Sequence, residues 1–130
     1  MPGSRPAALI VTHGALGQEL LRTVEQILGT QTEAHILSNE GLSGEGLVSA
    51  IEERLRALAP AQAVVIFSDL AAGSCGLASR RARAEGRTLR RITGANLPML
   101  LEFFHNRDSV PLDDLLPRME AKGRAGIAAS

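Results

Sequence analysis

Apolar and polar residues follow two alternating patterns along this chain. Short apolar runs without helical spacing are typical of buried strands, and each is followed by a stretch with apolar residues at helical spacing. Expected strands cover 7–12, 34–37, 63–67 and 88–93, and expected helices cover 16–28, 47–59, 77–85, 97 onward and 111–122. The glycine-rich stretch 41–46 is interpreted as a connection. Pro117 lies inside the last expected helix and is a candidate break, because proline disrupts helix interiors.

This alternation of strands and helices predicts an α/β fold. The expected architecture is an open, doubly wound, mainly parallel four-stranded sheet with helices on both faces. The commonest small version has strand order 2-1-3-4, with a switch point between the first and third strands. With 130 residues and no visible repeat or linker, residues 1–130 are interpreted as one domain that buries its own core.

Two polar residues end the two strands that meet at this switch point. His13 follows the first strand, and Asp69 follows the third. We therefore expect their side chains to face each other across the crevice where open α/β sheets bind ligands. A carboxylate that accepts the Nδ1 proton of a histidine fixes its tautomer and leaves Nε2 as a nucleophile. A merely exposed loop histidine is the simple alternative.

Composition narrows the possible partners. The formal net charge is zero, and the only aromatic residues are three phenylalanines. Neither a global electrostatic field nor base-stacking platforms therefore favour nucleic acid. No apolar run reaches membrane-spanning length, and the N-terminus lacks the apolar stretch of a signal peptide. Cys75 is the single cysteine and cannot form an internal disulfide, so we expect a soluble protein of the reducing cytoplasm.

Four segments, in order, resemble one family, the enzyme IIA domain of the mannose-type sugar phosphotransferase system. They are Val11-Thr12-His13-Gly14, the loop 41–46, Ser68-Asp69 with Gly73-Ser74, and the turn Gly94-Ala95-Asn96-Leu97-Pro98-Met99. The resemblance runs in register from about residue 8 to residue 116. Two positions differ from the family pattern: Ala72 replaces a loop glycine, and Cys75 replaces a proline.

The resemblance implies a phosphotransferase function. His13 would accept a phosphoryl group from the carrier protein HPr and pass it to an enzyme IIB partner, while Asp69 orients the imidazole. Ser74, with Gly73 and Gly14, would bind the phosphoryl oxygens. No metal or organic cofactor is expected, because transfer between histidines depends on positioning and charge stabilisation. The protein would contact a membrane permease only peripherally. The family also implies a homodimer. Dimers of this family exchange a strand beyond the last helix, and Ala128-Ala129-Ser130 leave little room for such a strand here.

Other interpretations stay open at this point. A regulatory phospho-domain without sugar transport would carry the same site. The phosphotransferase subunit that serves dihydroxyacetone kinase also has a histidine after its first strand, but that histidine is typically followed by serine, so His13-Gly14 and the turn at Asn96 resemble the mannose type more. Cys75 and Arg81 have the Cys-x5-Arg spacing of cysteine-dependent phosphatases, although the intervening residues look helical. Six arginines, between Arg80 and Arg91, form either a solvated surface or a docking site for an acidic partner. His35 and His105 lack metal-ligating neighbours, so no zinc site is expected there.

Overall fold

The computed structural model describes residues 5–130. It contains four strands and five helices in the expected order. The strands are β1 (Ala7–Thr12), β2 (Ala34–Ser38), β3 (Ala63–Ser68) and β4 (Thr88–Ile92). The helices are α1 (Leu16–Leu28), α2 (Gly44–Ala57), α3 (Gly73–Arg81), α4 (Leu97–Asn106) and α5 (Leu112–Ala125).

The predicted sheet is confirmed. All three strand pairs are parallel, and the order is β2-β1-β3-β4. β1 lies between β2 and β3, and all six of its residues are buried. Its side chains point alternately to two separate cores, as the two-residue period of a strand requires. The doubly wound architecture therefore follows from strands that are apolar on both faces.

Each face of the sheet has its own helical layer. On one face, Leu9 and Ile66 pack against α2 and α3. On the other, Ile10 and Phe67 pack against α1, α4 and α5, where Phe67 and Phe103 meet edge to face. The carboxyl ends of β1 and β3 lie side by side between these layers. Within residues 5–130, none of the helices combines the length and apolar character needed to cross a bilayer.

The expected bounds of α2 and α3 were wrong. α2 begins at Gly44 rather than at residue 47, because the Ser43 hydroxyl accepts the Gly46 N–H and caps the helix. α3 covers 73–81 rather than 77–85. The helix ends where the backbone of Ala82 becomes extended and the Glu52 carboxylate accepts a hydrogen bond from the Arg83 N–H.

Proline does not split the last helix. α5 continues through Pro117 from Leu112 to Ala125. The proline lies in the second turn with its ring exposed, so it removes one backbone donor without displacing a packed side chain.

Candidate functional site

His13 lies immediately after β1, and its imidazole is bound to Asp69, which follows β3. The His13 Nδ1 atom is 2.9 Å from Asp69 Oδ2, and the same oxygen accepts the His13 backbone N–H at 3.0 Å. The imidazole is 43% exposed, whereas the carboxylate is only 10% exposed. The topology thus brings together the two residues that sequence analysis singled out.

The charge of Asp69 is stabilised locally. Burial opposes its ionisation, but hydrogen bonds from the His13 backbone, the His13 side chain and the Leu70 N–H outweigh burial. The net result is that the pKa of Asp69 lies below its ordinary value. At neutral pH an ionised carboxylate therefore faces Nδ1. That carboxylate favours the tautomer with the proton on Nδ1 and the lone pair on Nε2.

Two hydrogen bonds, one on each side, hold the turn that carries His13. Thr12 Oγ1 accepts the Gly17 N–H at 2.7 Å, and a side chain at position 17 would stand only 2.9 Å from that hydroxyl. Asn39 Oδ1, beyond the end of β2, accepts the Gly14 N–H at 3.1 Å. Gly14 itself adopts φ +56°, which favours glycine. These contacts fix the direction in which the imidazole leaves the strand.

The first turn of α3 lies against the other side of the imidazole. Gly73 has φ +89°, and a Cβ there would stand 3.8 Å from His13 Cε1 and 4.0 Å from Nε2. The N–H groups of a first helical turn have no partners within the helix, so they can bind an anion. Ser74 follows in the same turn and is exposed. The Nε2 atom of His13 therefore lies beside the first turn of α3.

Gly76 explains how α3 reaches this position. A Cβ at Gly76 would stand 2.5 Å from the Leu70 carbonyl oxygen and closer still to the Ala71 carbonyl oxygen. Only glycine therefore allows the loop after Asp69 to fold back on the helix. The helix expected from sequence began only at residue 77, so this contact was not foreseen.

Comparison with known proteins fits this geometry. The family described as the fructose IIA component of the phosphotransferase system, of mannose type, matches residues 7–120. The chain belongs to this family. The mannose-specific EIIAB component of Escherichia coli K12 is 31% identical over 125 residues, which are 95% of this chain and 39% of that protein. The chain thus spans about two fifths of the length of the curated relatives that it matches.

Solved structures show the same fold. Phosphotransferase component EIIA from Streptococcus agalactiae superposes with a TM-score of 0.84 at 22% identity, over 95% of each chain. The mannose/sorbose-specific IIA subunit from Enterococcus faecalis gives a TM-score of 0.82 at 22% identity, over 97% of this chain and 95% of that one. The resemblance to mannose-type IIA domains is therefore confirmed in sequence and in fold.

In this IIA chain, Cys75 and Arg81 do not form a phosphatase loop. Both lie within α3, and the Cys75 thiol is fully buried. Burial and, to a smaller extent, the Asp69 charge raise the pKa of that thiol. A phosphatase cysteine needs the opposite, a lowered pKa in a phosphate-binding loop. The cysteine phosphatase interpretation is therefore not supported.

Several of the clustered arginines bind backbone carbonyls. Arg87 donates to the carbonyls of Leu55, Leu58 and Ala61, at the end of α2 and in the turn beyond it. Arg91 donates to those of Ser79 and Ala82, at the end of α3, at 2.6 Å each. Helix C-termini carry unpaired carbonyls and partial negative charge, which cations stabilise. These two side chains are structural, a role that neither interpretation of the arginine cluster foresaw.

Proposed function

We propose that this chain is a phosphoryl carrier that accepts phosphate on His13 Nε2 from HPr and passes it to an enzyme IIB partner. The observation that carries the proposal is the orientation of one imidazole between two groups. Nδ1 is bound to Asp69, and Nε2 lies beside the start of α3. A phosphoryl group on Nε2 would meet the N–H groups of Gly73 and Ser74, with Gly14 on the turn that carries the imidazole.

The proposed chemistry uses the His13 and Asp69 side chains and the backbone N–H groups at the start of α3. The Nε2 lone pair attacks the phosphorus of the donor's phosphohistidine, a new P–N bond forms, and the donor's P–N bond breaks. His13 becomes positively charged as this happens, and its Nδ1 proton stays on the ring. The Asp69 carboxylate stabilises that charge, while the α3 terminus stabilises the phosphoryl oxygens. Transfer to enzyme IIB repeats this step with the roles changed: a nucleophile of enzyme IIB attacks the phosphorus, and His13 is the leaving group.

A protein donor also fits the surface around His13. Four exposed leucines follow residues of this site: Leu16 is 46% exposed, Leu42 39%, Leu70 56% and Leu77 52%. Large exposed apolar side chains that follow site residues in the chain favour a protein partner. Two cavities in the described structure, of about 410 and 530 Å³, are lined by residues other than His13. These features favour a protein partner over a small substrate.

A cytoplasmic location and a homodimer remain part of this proposal. Both come from the family, and HPr would have to reach the exposed imidazole from the cytoplasm. The choice between sugar uptake and a purely regulatory phosphorylation depends on the receiver, because the His13 chemistry is identical in both.

The direct test is phosphorylation by the purified donor system. Incubation with phosphoenolpyruvate, enzyme I and HPr should add one acid-labile phosphate, detected by intact-protein mass spectrometry. His13→Ala should abolish the added mass completely. His105→Ala is the matched control, because His105 is an exposed histidine on α4, and it should be labelled like the wild type.

Two results would contradict the proposal. Labelling that persists in His13→Ala would place the acceptor elsewhere. A wild-type protein that is folded, yet never labelled by phospho-HPr, would exclude HPr as its donor. Transfer onward is then measured by adding candidate IIB domains to the phosphorylated protein and following loss of its label.

A further inference from the structure

The Cys75 thiol lies next to the proposed phosphoryl site but has no part in the relay. Its sulfur, a ring nitrogen of His13 and a carboxylate oxygen of Asp69 lie within 4.8 Å of one another. Cys75 belongs to α3 and is fully buried, so its sulfur approaches this cluster from the core side. The three residues come from the ends of β1 and β3 and from the first turn of α3. Three different elements thus deliver one donor atom each.

We propose that these three side chains form an inhibitory binding site for a thiophilic divalent cation, with Zn²⁺ as the best match. This inference rests on the proposed function only in calling the site inhibitory. Sequence analysis expected no metal, because phosphoryl transfer between histidines depends on positioning and charge stabilisation.

The donor set selects among metals. Thiolate and imidazole ligands suit Zn²⁺, whereas Mg²⁺ and Ca²⁺ prefer all-oxygen ligands. A thiolate and a carboxylate together carry two negative charges, which balance the charge of the ion. The His13 side chain is 43% exposed, so solvent can reach the fourth ligand position. Three protein ligands with an open position are typical of exchangeable zinc sites.

The geometry requires a small contraction. Tetrahedral zinc with bonds of about 2.0–2.3 Å places its ligand atoms about 3.3–3.7 Å apart. The atoms here lie within 4.8 Å of one another, so rotation of His13 and Asp69 would close the site. On binding, the sulfur–hydrogen bond of Cys75 breaks, its proton passes to water, and a sulfur–zinc bond forms.

Metal binding and phosphorylation would exclude each other. A cation on Nε2 would occupy the nitrogen that takes the phosphoryl group. A cation on Nδ1 would take the place of the Nδ1 proton, which moves to Nε2, and would break the hydrogen bond to Asp69 that orients the ring. In either case the bound ion removes the imidazole from the relay, and zinc acts as a competitive inhibitor.

Titration of the unphosphorylated full chain tests binding without any phosphoryl donor. Co²⁺, used as a spectroscopic probe for Zn²⁺, should bind with a stoichiometry of one and produce a sulfur-to-cobalt charge-transfer band. Added Zn²⁺ should displace Co²⁺ and abolish the band. Cys75→Ala and Cys75→Ser should lose the band and bind Zn²⁺ at least tenfold more weakly in competition with a chromophoric chelator. His13→Ala should also bind at least tenfold more weakly. His105→Ala, at an exposed histidine outside the cluster, should bind like the wild type.

The outcome is decisive in both directions. A cobalt complex without the charge-transfer band, or equal zinc affinity in folded Cys75→Ser, would overturn the site. A second measurement compares phosphoryl uptake with and without Zn²⁺, each variant against its own metal-free rate. Zinc should inhibit the wild type and spare Cys75→Ala in the same donor mixture. Inhibition of both equally would overturn the inhibitory role, whereas a wild type unlabelled even without zinc would instead contradict the phosphoryl carrier.

Discussion

The amino and carboxyl edges of the sheet, where the parallel strands begin and end, each hold one cationic or titratable side chain. The two side chains have opposite roles. At the carboxyl edge, His13 is half-exposed and makes its ring contact with Asp69 through one nitrogen. At the amino edge, the Arg107 side chain is buried, with the residue 2% exposed. Its guanidinium donates to the carbonyls of Pro6, Thr32 and Glu33, which lie before β1 and β2.

Further contacts surround Arg107 at the amino edge. Glu33 adopts φ +54°, a conformation that few side chains tolerate, and its carboxylate is paired with Arg5 at 2.9 Å. Arg107 also lies over the Phe104 ring, 5.0 Å from its centre. Burial, with a smaller effect of Arg5, lowers the pKa of Arg107 to about 10, so the side chain stays charged at neutral pH.

The two edges differ in how the nitrogen atoms of Arg107 and His13 are used. Arg107 uses its hydrogen bonds to join segments that are distant in sequence. His13 has one nitrogen committed to Asp69 and another directed to an exposed helix terminus. The same sheet therefore stabilises its fold at one edge and exposes a histidine ring at the other.

Replacing the buried arginine should produce the largest effect on the fold. Arg107→Met removes donors from three carbonyls, so we expect the free energy of unfolding to fall by about 3 kcal/mol. Phosphoryl uptake by the protein that remains folded should stay within about twofold, because the affected edge is remote from His13. Urea unfolding and the phosphorylation assay measure the two quantities.

An exposed arginine provides the control for this comparison. Arg124 pairs with Glu120 on α5 and is 78% exposed, so Arg124→Met should cost at most about 0.5 kcal/mol. If Arg107→Met were as stable as Arg124→Met, the amino edge would not have the structural role described above.

The carboxyl edge was more predictable from sequence than the amino edge, for physical reasons. Two apolar runs that end in polar residues locate His13 and Asp69, and parallel pairing of β1 with β3 then brings them together. Arg107 gives no such signal, because most of its partners are backbone carbonyls, which every residue carries. The same holds for Arg87 and Arg91 at the helix ends.

Other parts of the site depend on close contacts that no pattern encodes. Asn39 follows a weak strand and looks like a loop residue until its amide oxygen meets the Gly14 N–H. Gly76 is needed because carbonyls of a preceding loop approach it, and α3 therefore starts earlier than helical spacing predicts. The position of Cys75 beside His13 depends on that same shift.

Removing the charge of Asp69 should slow chemistry more than it disturbs the fold. In Asp69→Asn, an amide can still accept a hydrogen bond from Nδ1 but cannot neutralise the charge that develops on the imidazole. We expect the rate of transfer from phospho-HPr to fall by about 100-fold, a typical loss when one group that stabilises a developing charge is removed. Single-turnover kinetics measure this rate. Asp108→Asn, at an exposed carboxylate that pairs with Arg5, should change it by less than about twofold. An unaltered rate in Asp69→Asn would make that carboxylate purely structural.

The same carboxylate should also give a pH signature in stability. The folded-state pKa of Asp69 is depressed, so its stabilisation is present above the ordinary carboxyl pKa of about 3.9 and is lost as the pH falls through the folded value. The stability difference between wild type and Asp69→Asn should therefore be largest near pH 7 and shrink in acid. Urea unfolding at several pH values measures it, and a constant difference would contradict the depressed pKa.

The smallest effect is expected at the helix terminus. Ser74→Ala removes one hydroxyl near the phosphoryl group but keeps the backbone N–H groups of the first turn of α3. Loss of one hydrogen bond is worth about 1 kcal/mol, so transfer should slow by about fivefold. Ser49→Ala, on the exposed surface of α2, is the matched control and should have no effect on transfer. If Ser74→Ala slowed transfer as much as Asp69→Asn, the hydroxyl would carry the stabilisation that we attribute to the backbone. If Ser74→Ala had no effect on transfer, the backbone N–H groups alone would be sufficient to stabilise the phosphoryl oxygens. The site would then consist of those N–H groups and of His13, with Nδ1 bound to Asp69 and Nε2 available to the phosphoryl group.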